Sequence, residues 1–164
     1  VFHLPSPLAI WHDIVSHMAR IDPLPDAPGT TTDPAAPVSL AGIEPARIAR
    51  VSATAYSRIV AAWRLGNDTA SQLLDISPRT FARMKTGDWS GRLSRDQLMR
   101  VSAVTGIYKG LHLYFSDDLA DRWVTMPNTG PQFGGRAPVE AMIAGGLPAI
   151  LATRNYIVAL RGGA

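Results

Sequence analysis

The sequence predicts an all-α protein, and three features of its 164 residues lead to this fold class. No stretch alternates apolar and polar residues with the period of two that a half-buried strand shows. Several segments instead repeat apolar residues at three- and four-residue spacing, which is the period of an amphipathic helix. Serine, proline and glycine residues also stand where helices begin and end. We therefore expect a chain of short helices joined by turns.

The composition favours a globular protein of one domain or slightly more. Apolar residues make up 46% of the chain and charged residues 18%, unlike a disordered protein. The chain has no cysteine, which excludes disulfides and thiolate metal sites and predicts a cytoplasmic location. No apolar stretch reaches the roughly 18 to 20 residues that cross a bilayer, and the first residues lack a signal-peptide pattern. We expect no membrane association.

Residues 1–39 form an N-terminal segment with its own character. Apolar residues at helical spacing predict an amphipathic helix over residues 6–20. Five prolines between residues 22 and 37 then predict an extended linker, because proline removes a backbone donor and restricts the preceding residue. The three histidines of this segment lack acidic or thiol partners at a recognisable ligand spacing, so we expect no metal site.

Residues 43–63 predict a long helix that begins near Pro45 and is ended by Gly66. Its apolar stripe is expected to comprise Ile48, Val51, Ile59, Val60 and Trp63.

Residues 67–85 predict a helix-turn-helix. The apolar residues are spaced so that two short crossing helices share one small core; they are Ala70, Leu74, Ile76, Phe81 and Met84. Asn67 or Asp68 is expected to cap the first helix, and Ser77 followed by Pro78 to start the second. Asp75 stands where this motif more often has a left-handed glycine, a conformation that aspartate tolerates better than most residues.

Basic residues cluster on and after the second of these helices. Residues 79–100 carry six cations, which are Arg79, Arg83, Lys85, Arg92, Arg95 and Arg100, against only Asp88 and Asp96. Such a cluster is suited to DNA phosphates, and an outward arginine at the start of a recognition helix can donate two hydrogen bonds to guanine. The candidate DNA-binding residues are Ser77, Arg79, Thr80, Arg83, Lys85, Arg92 and Arg95. The alternative is an ordinary helical hairpin with solvated arginines.

Residues 93–115 predict a long helix with a capping box formed by Ser94 and Gln97. His112 falls on its apolar face and is expected to be a packed histidine, because no nucleophile stands beside it in a known motif. Asp117 is expected to cap a short helix that carries Trp123.

Glycines and prolines divide the end of the chain into two predicted helices. A turn with positive φ precedes the first helix, and a left-handed cap ends it. The residues expected to build these turns are Gly134, Gly135, Arg136, Pro138, Gly145 and Gly146, with the Arg136 side chain bracing loop carbonyls. Pro148 then starts a last helix with an apolar face formed by Ile150, Leu151, Ile157 and Val158.

Enzymatic functions find little support in the sequence. The glycine pairs lack the preceding strand and the spacing of a nucleotide-binding loop. Paired carboxylates, a catalytic triad and a metal cluster are likewise not recognisable. We therefore expect neither an enzyme nor a cofactor.

Motifs near the end of the chain resemble a known family. Trp123, the Pro127-Asn128 pair, "FGGRAPVEAM", the Gly145-Gly146 pair and the final apolar helix are similar to the toxin-binding domain of Xre/MbcA/ParS antitoxins. Residues 40–126 resemble the Xre-like helix-turn-helix domain that precedes it, and residues 127–164 would form the toxin-binding domain. Ala137 stands where the family usually has threonine or serine, so a side-chain N-cap is missing there.

The resemblance implies a type II antitoxin. Such a protein binds a RES-domain toxin that destroys NAD⁺, blocks its active site, and represses the shared operon by binding operator DNA as a homodimer. The residues then expected to contact the toxin are Arg154, Ile157, Val158, Arg161, Gly162, Gly163 and Ala164. Two alternatives stay open: a helix-turn-helix transcriptional regulator whose C-terminal helices only dimerise, and an enzyme or small-molecule binder.

Overall fold

The computed structural model describes residues 45–162, with side chains up to residue 160, and these residues belong to one compact unit. The helix predicted over residues 6–20 and the linker over residues 22–37 lie outside this range, as do Gly163 and Ala164. Within the described residues the chain forms six helices and no strand. The all-α prediction is therefore confirmed.

The helices follow one another in the order α1 Pro45–Ala62, α2 Asn67–Leu74, α3 Pro78–Thr86, α4 Arg95–Tyr114, α5 Asp117–Trp123 and α6 Pro138–Gly162. Helix α6 is bent at Gly146, where φ is 62° and ψ is −152°. We call residues 138–145 its first arm and residues 147–162 its second arm. Helix α4 lies at the centre, because α1, α5 and α6 all pack against it.

Helix α1 is described from Pro45 onward, and its buried stripe differs from the prediction. Ile59, Val60 and Trp63 are buried, whereas Val51 is 43% exposed. Tyr56 is fully buried in its place, and its hydroxyl donates a hydrogen bond to the Ala70 carbonyl at 2.6 Å. Burial also raises the pKa of the Tyr56 hydroxyl, which therefore stays a donor. The buried stripe follows the packing of α1 against α4 and α3, and the Tyr56 hydrogen bond adds a link to α2.

The residue that ends α1 is Arg64 and not Gly66. Arg64 adopts a left-handed φ of 56°, whereas Gly66 has an ordinary φ of −66°. The Arg64 N–H donates to the Ala61 carbonyl and the Leu65 N–H to the Val60 carbonyl, which is a Schellman motif. The sequence prediction of a glycine stop was wrong: these two backbone bonds close the last turn at Arg64, and the next residue, Leu65, packs against the core.

One hydrophobic core extends across all six helices. It includes Trp63 directly after α1, Phe81 from α3, Ile107 from α4 and Ile150 from α6. The domain boundary predicted near residue 126 stays a prediction, and the residues on both sides of it contribute to the same core.

Two glycines of α4 form a close seam with the second arm of α6. A Cβ atom at Gly110 would lie 2.6 Å from Ile157 Cγ2, and one at Gly106 would lie 2.8 Å from Arg154 Nε. The two helices run side by side in the same direction, since the later α4 glycine meets an α6 residue nearer the end of the chain. Small residues four positions apart allow helices this near approach. The sequence analysis missed the seam, although two glycines within one helical pattern were its signal.

The expectation that no apolar stretch is long enough to cross a bilayer is corrected at the end of the chain. Among the described helices, Pro138–Leu160 is long and apolar enough to cross a bilayer by length and composition, with a mean hydropathy of 1.3. The bend at Gly146 divides it into arms of about 12 and about 24 Å, at roughly 1.5 Å per residue. A hydrocarbon core is about 30 Å thick. Neither arm alone matches that thickness.

Candidate functional site

Helices α2 and α3 form the predicted helix-turn-helix. Ala70, Leu74, Phe81 and Met84 are buried, and Ile76 packs against them. Asp75 occupies the left-handed turn position, with φ of 58° and ψ of 54°. Its N–H donates to the Gln72 carbonyl, and the next N–H donates to the Ser71 carbonyl. Aspartate thus replaces glycine at this turn, as the sequence analysis expected.

The predicted cap of α2 is wrong, whereas the predicted cap of α3 is confirmed. Gly66 holds the N-cap position of α2, where no side chain makes a capping hydrogen bond. Asn67 Oδ1 instead accepts a hydrogen bond from Lys85 Nζ at 3.0 Å, which ties α2 to α3. At the start of α3, Ser77 Oγ accepts from the Thr80 N–H at 3.1 Å. Serine with Pro78 in the first turn therefore fixes where α3 begins.

The outward face of α3 is basic. Arg79, Ala82 and Arg83 are exposed, while Phe81 and Met84 point into the core. Arg83 Nη2 donates to the Asp88 carbonyl at 3.0 Å, which steadies its guanidinium beside the end of the helix. Arg79 makes no such bond to any residue that the structure describes. Its guanidinium is therefore the least committed cation of α3.

The remaining cations of the cluster divide into surface and structural groups. Arg92 and Arg95 are exposed, as predicted for phosphate contacts. Arg100 is different: its Nε lies 2.6 Å from Asp96 Oδ2, its Nη1 donates to the Leu73 carbonyl, and its side chain is only 12% exposed. It therefore holds the end of α2 against α4.

The surface hydroxyls beside these cations are already paired. Ser77 Oγ and Thr80 Oγ1 lie 2.9 Å apart at the start of α3. The structure thus brings all seven predicted DNA-binding residues to the described surface around α3 and the start of α4, with Thr80 partly covered. Their contact with DNA stays a prediction.

The long helix α4 begins with the predicted capping box. Ser94 Oγ accepts from the Gln97 N–H at 3.1 Å, and Gln97 Oε1 accepts from the Ser94 N–H at 2.9 Å. The Gln97 amide also donates to the Asp75 carbonyl at 3.1 Å, so the same residue reaches the helix-turn-helix turn. The start of α4 and the turn therefore hold each other in place.

His112 of α4 is packed, as predicted, and it faces Asp121 of α5. Its side chain is 3% exposed, and its Nδ1 lies 2.9 Å from the Tyr108 carbonyl, so Nδ1 carries a proton and donates. Its Nε2 lies 3.2 Å from Asp121 Oδ1, off the line of a hydrogen bond.

The surroundings of this pair oppose charge. Burial is the main cause that raises the pKa of Asp121, and the carboxylate of Asp117 adds to it, while His112 and Arg64 lower it. Burial likewise raises the pKa of the Tyr108 hydroxyl.

Asp117 was predicted to cap α5, but it is the first helical residue, and Ser116 holds the cap position without a side-chain hydrogen bond.

The segment between α5 and α6 is a closed loop. The Asn128 N–H donates to the Arg136 carbonyl at 3.1 Å, and the Gly135 N–H donates to the Asn128 carbonyl at 3.0 Å. Gly134 and Gly135 have φ values of 59° and 83°, which confirms the predicted turn. The predicted brace by the Arg136 side chain is wrong, because its backbone closes the loop while the side chain is exposed and unbonded within the described residues.

Three aromatic rings fasten this loop to the helices on either side. Phe133 of the loop packs edge-on against Trp123 of α5, with ring centroids 5.6 Å apart, and against Tyr156 of α6 at 5.5 Å. Such perpendicular aromatic pairs stabilise a fold beyond their buried area. The loop is therefore anchored and not a free connection.

Helix α6 starts without a side-chain N-cap, because Ala137 has no side-chain oxygen. The Val139 N–H instead donates to the Val124 carbonyl at 2.9 Å, so the end of α5 satisfies a free donor of α6. Pro138 stands at the first helical position, as predicted.

The hinge of α6 uses one glycine and not two. Gly146 has the positive φ of 62°, but its ψ of −152° is not that of a left-handed cap, and Gly145 stays helical. A Cβ at Gly145 would lie 2.5 Å from Ala149 Cβ. The prediction of a left-handed cap at both glycines is therefore corrected: Gly146 makes the bend, and Gly145 permits the near approach of the two arms.

Both parts of this architecture match known families. Residues 43–105 match the antitoxin Xre-like helix-turn-helix domain, and residues 110–163 match the antitoxin Xre/MbcA/ParS C-terminal toxin-binding domain. The chain belongs to the Xre/MbcA/ParS antitoxin family. These two domains belong to antitoxins and not to known enzymes. The antitoxin therefore has a DNA-binding part and a part that binds a toxin.

The antitoxin is also similar to a curated protein over most of that protein's length. The uncharacterized protein y4oB of Sinorhizobium fredii (strain NBRC 101917 / NGR234) is 35% identical over 111 residues, which are 66% of the antitoxin and 83% of that relative. No solved structure matches the antitoxin.

The residues predicted to contact the toxin lie at different depths. Arg154 and Val158 are exposed on the second arm. Ile157 is 1% exposed and packs on Gly110, so its predicted place on the contact surface is corrected to a place in the core. Gly162 is the last helical residue. The Arg161 side chain, Gly163 and Ala164 lie outside the described residues.

The antitoxin also has a groove that the sequence analysis did not find. It lies on the inner face of the α6 bend and has a volume of about 350 Å³. Its walls include four alanines and two polar residues, which are Ala141, Ala144, Ala149, Ala152, Gln132 and Arg136. The sequence shows alanines spaced along the two arms, but only the bend makes them face one another and form the groove.

The described residues of the antitoxin contain no group of three or more histidines, cysteines or acidic residues that could hold a metal ion.

Proposed function

We propose that this chain is a type II antitoxin of the RES-Xre kind, located in the cytoplasm. It occludes the active site of a RES-domain toxin that degrades NAD⁺, and it represses its own operon as a homodimer. The observation that carries the proposal is the joining of two parts: a helix-turn-helix with an exposed basic helix, and a toxin-binding domain that ends in a partly apolar second arm.

The DNA-binding part of the proposal is supported by the surface of α3. The first turn of a recognition helix enters the major groove, where an arginine reads guanine through two donors. Arg79 occupies this turn without a partner among the described residues, and Arg92 and Arg95 are exposed cations between α3 and the first turn of α4. We assign base contact to Arg79 and phosphate contact to the others.

The toxin-blocking part is supported by the exposed side of the second arm. Arg154 and Val158 are one helical turn apart, so they share a face, and Val158 is 52% exposed. Together with residues 161–164 they would enter the active-site cleft of the toxin. Glycines in this last segment permit a close backbone approach.

The experiment is a titration of the full chain against the RES-domain protein encoded in the adjacent reading frame. NAD⁺ consumption is measured as the antitoxin is added, and a sizing column follows the complex. We expect stoichiometric inhibition and a stable assembly, and a chain shortened by residues 161–164 should inhibit far less. Full NAD⁺ consumption with no assembly would refute the proposal, and a C-terminal dimer that ignores the toxin would favour the transcriptional regulator.

A further inference from the structure

The groove on the inner face of the α6 bend is separate from the exposed side of the second arm. We propose that this groove receives a bulky apolar side chain of the toxin, and that Arg136 at its edge pairs with an acidic residue beside that side chain. The proposal rests on the proposed toxin binding and adds a second contact surface to it.

The shape of the groove favours a side chain as its occupant. Ala144 and Ala152 come from different arms and are both exposed, so only methyl groups limit the depth between the arms. Phe133, which is 1% exposed, lines the groove from the loop. The volume of about 350 Å³ lies near the lower end of the roughly 300 to 1,000 Å³ seen for ligand pockets. One large apolar side chain and its flanking backbone fit such a space.

The polar groups of the groove favour a protein partner over a small polar molecule. Thr153 is buried, but its Oγ1 already donates to the Ala149 carbonyl at 2.9 Å. A small polar ligand needs free, well-placed polar atoms for its orientation, and the inner wall offers none from this threonine. The wall between the arms therefore offers apolar surface, while the free polar groups of the groove, Gln132 and Arg136, lie on the exposed loop at its edge.

Arg136 defines the charge of the partner. It is the one charged residue among those that line the groove, it is exposed, and its side chain makes no hydrogen bond to the described residues. An exposed guanidinium next to an apolar groove is complementary to a carboxylate, which it can hold through two hydrogen bonds. An acidic residue of the toxin beside its apolar anchor satisfies both features.

The groove is held in shape before any partner binds. The loop that carries Arg136 is closed by two backbone hydrogen bonds and anchored by Phe133, and Gly146 fixes the angle between the arms. A preformed groove loses little conformational entropy on binding, which favours an anchor contact. The whole groove lies within residues 110–163, the match to the toxin-binding domain.

The test fills the groove in the full chain and measures affinity for the adjacent RES-domain toxin by calorimetry. Ala152→Trp fills the inner wall with an indole, and Arg136→Glu reverses the charge at the edge. The matched control is Ala61→Trp, because Ala61 is an exposed alanine of α1 that does not line the groove. We expect Ala152→Trp to weaken binding at least about 30-fold, as loss of an interface anchor does, and Arg136→Glu to weaken it by about 10-fold or more.

The outcomes separate this inference from the proposed function. If the wild type does not bind the toxin, the proposed function and the groove contact both fail. If the wild type binds and both groove variants bind like Ala61→Trp, the groove contact alone is refuted. Circular dichroism melting checks that each variant is folded, and if Ala152→Trp is unfolded, the surface variant Arg136→Glu decides.

Discussion

Helices α2 and α3 and the bent helix α6 present two different kinds of surface. In α3, an ordinary short helix capped by Ser77 displays arginines, so recognition depends on charge. In α6, a glycine bend displays methyl groups around a groove, so recognition depends on shape. The comparison teaches that side-chain capping suffices to present charge, whereas presenting a concave apolar face requires backbone that only glycine adopts.

The largest expected effect tests which face of the second arm packs into the core. Ile157→Ala removes a fully buried side chain from the seam and should lower the free energy of unfolding by about 2 to 5 kcal/mol. Val158→Ala on the exposed face is the control and should change it by less than about 0.5 kcal/mol. Urea unfolding measures both. Equal stability of the two variants would contradict the burial of Ile157.

The next effect tests the bend itself. Gly146 has φ of 62° and ψ of −152°, a region that is essentially restricted to glycine. Gly146→Ala should therefore destabilise the chain by about 1 to 3 kcal/mol. Gly66→Ser is the control, because Gly66 has φ of −66°, open space around its Cα and an N-cap position that serine also suits, so thermal melts should not fall. An unchanged melt for Gly146→Ala would show that the bend can be made without a positive φ.

A similar magnitude is expected in DNA binding. Arg79→Ala should weaken binding to the chain's own operator by about 1 to 3 kcal/mol, or roughly 5- to 150-fold, and relax specificity at one base pair. Arg92→Ala should weaken binding to all sequences alike and reduce the salt dependence by about one counterion. Fluorescence anisotropy at several salt concentrations distinguishes them. If Arg79→Ala weakens binding to all sequences alike, as Arg92→Ala should, Arg79 does not contact a specific base.

The smallest effect concerns pH and the contact between α4 and α5. The raised pKa of Asp121 means that the folded state binds a proton more tightly than the unfolded state, so this group stabilises the fold at low pH. That contribution is lost as pH rises from near the ordinary value of 3.8 through the raised one. The melting temperature of Asp121→Asn should therefore rise relative to the wild type as the pH increases from about 4. A constant difference over this range would exclude the linkage.

Local signals were sufficient to predict the starts of α3, α4 and α6 and the helix-turn-helix. Ser77, Asp75 and the Ser94–Gln97 box act within a few residues of the sequence, and each was found where expected. The glycine turn before α6 was also predicted, because positive φ at Gly134 and Gly135 is a local requirement.

The errors share a different cause, which is packing between distant segments. Tyr56 replaces Val51 in the core because the Ala70 carbonyl accepts its hydroxyl. Val124 of α5 supplies the acceptor that the start of α6 lacks, and Ile157 is buried because Gly110 of α4 lies beneath it. No pattern within one helix reports the partner helix, so the groove and the true face of the second arm could not be read from periodicity.

The glycine seam between α4 and the second arm has a consequence for how the whole assembly would be organised. Since Cβ atoms at Gly106 and Gly110 would clash with the second arm, α4 and the second arm pack closely, and the Arg100 and Gln97 contacts tie α4 to the end of α2 and the turn before α3. In the proposed homodimer, a toxin held by the antitoxin would set the distance between the two α3 helices. The symmetry of the toxin's own subunits would then decide whether the two α3 helices match DNA half-sites about 34 Å apart, which is one turn of the duplex.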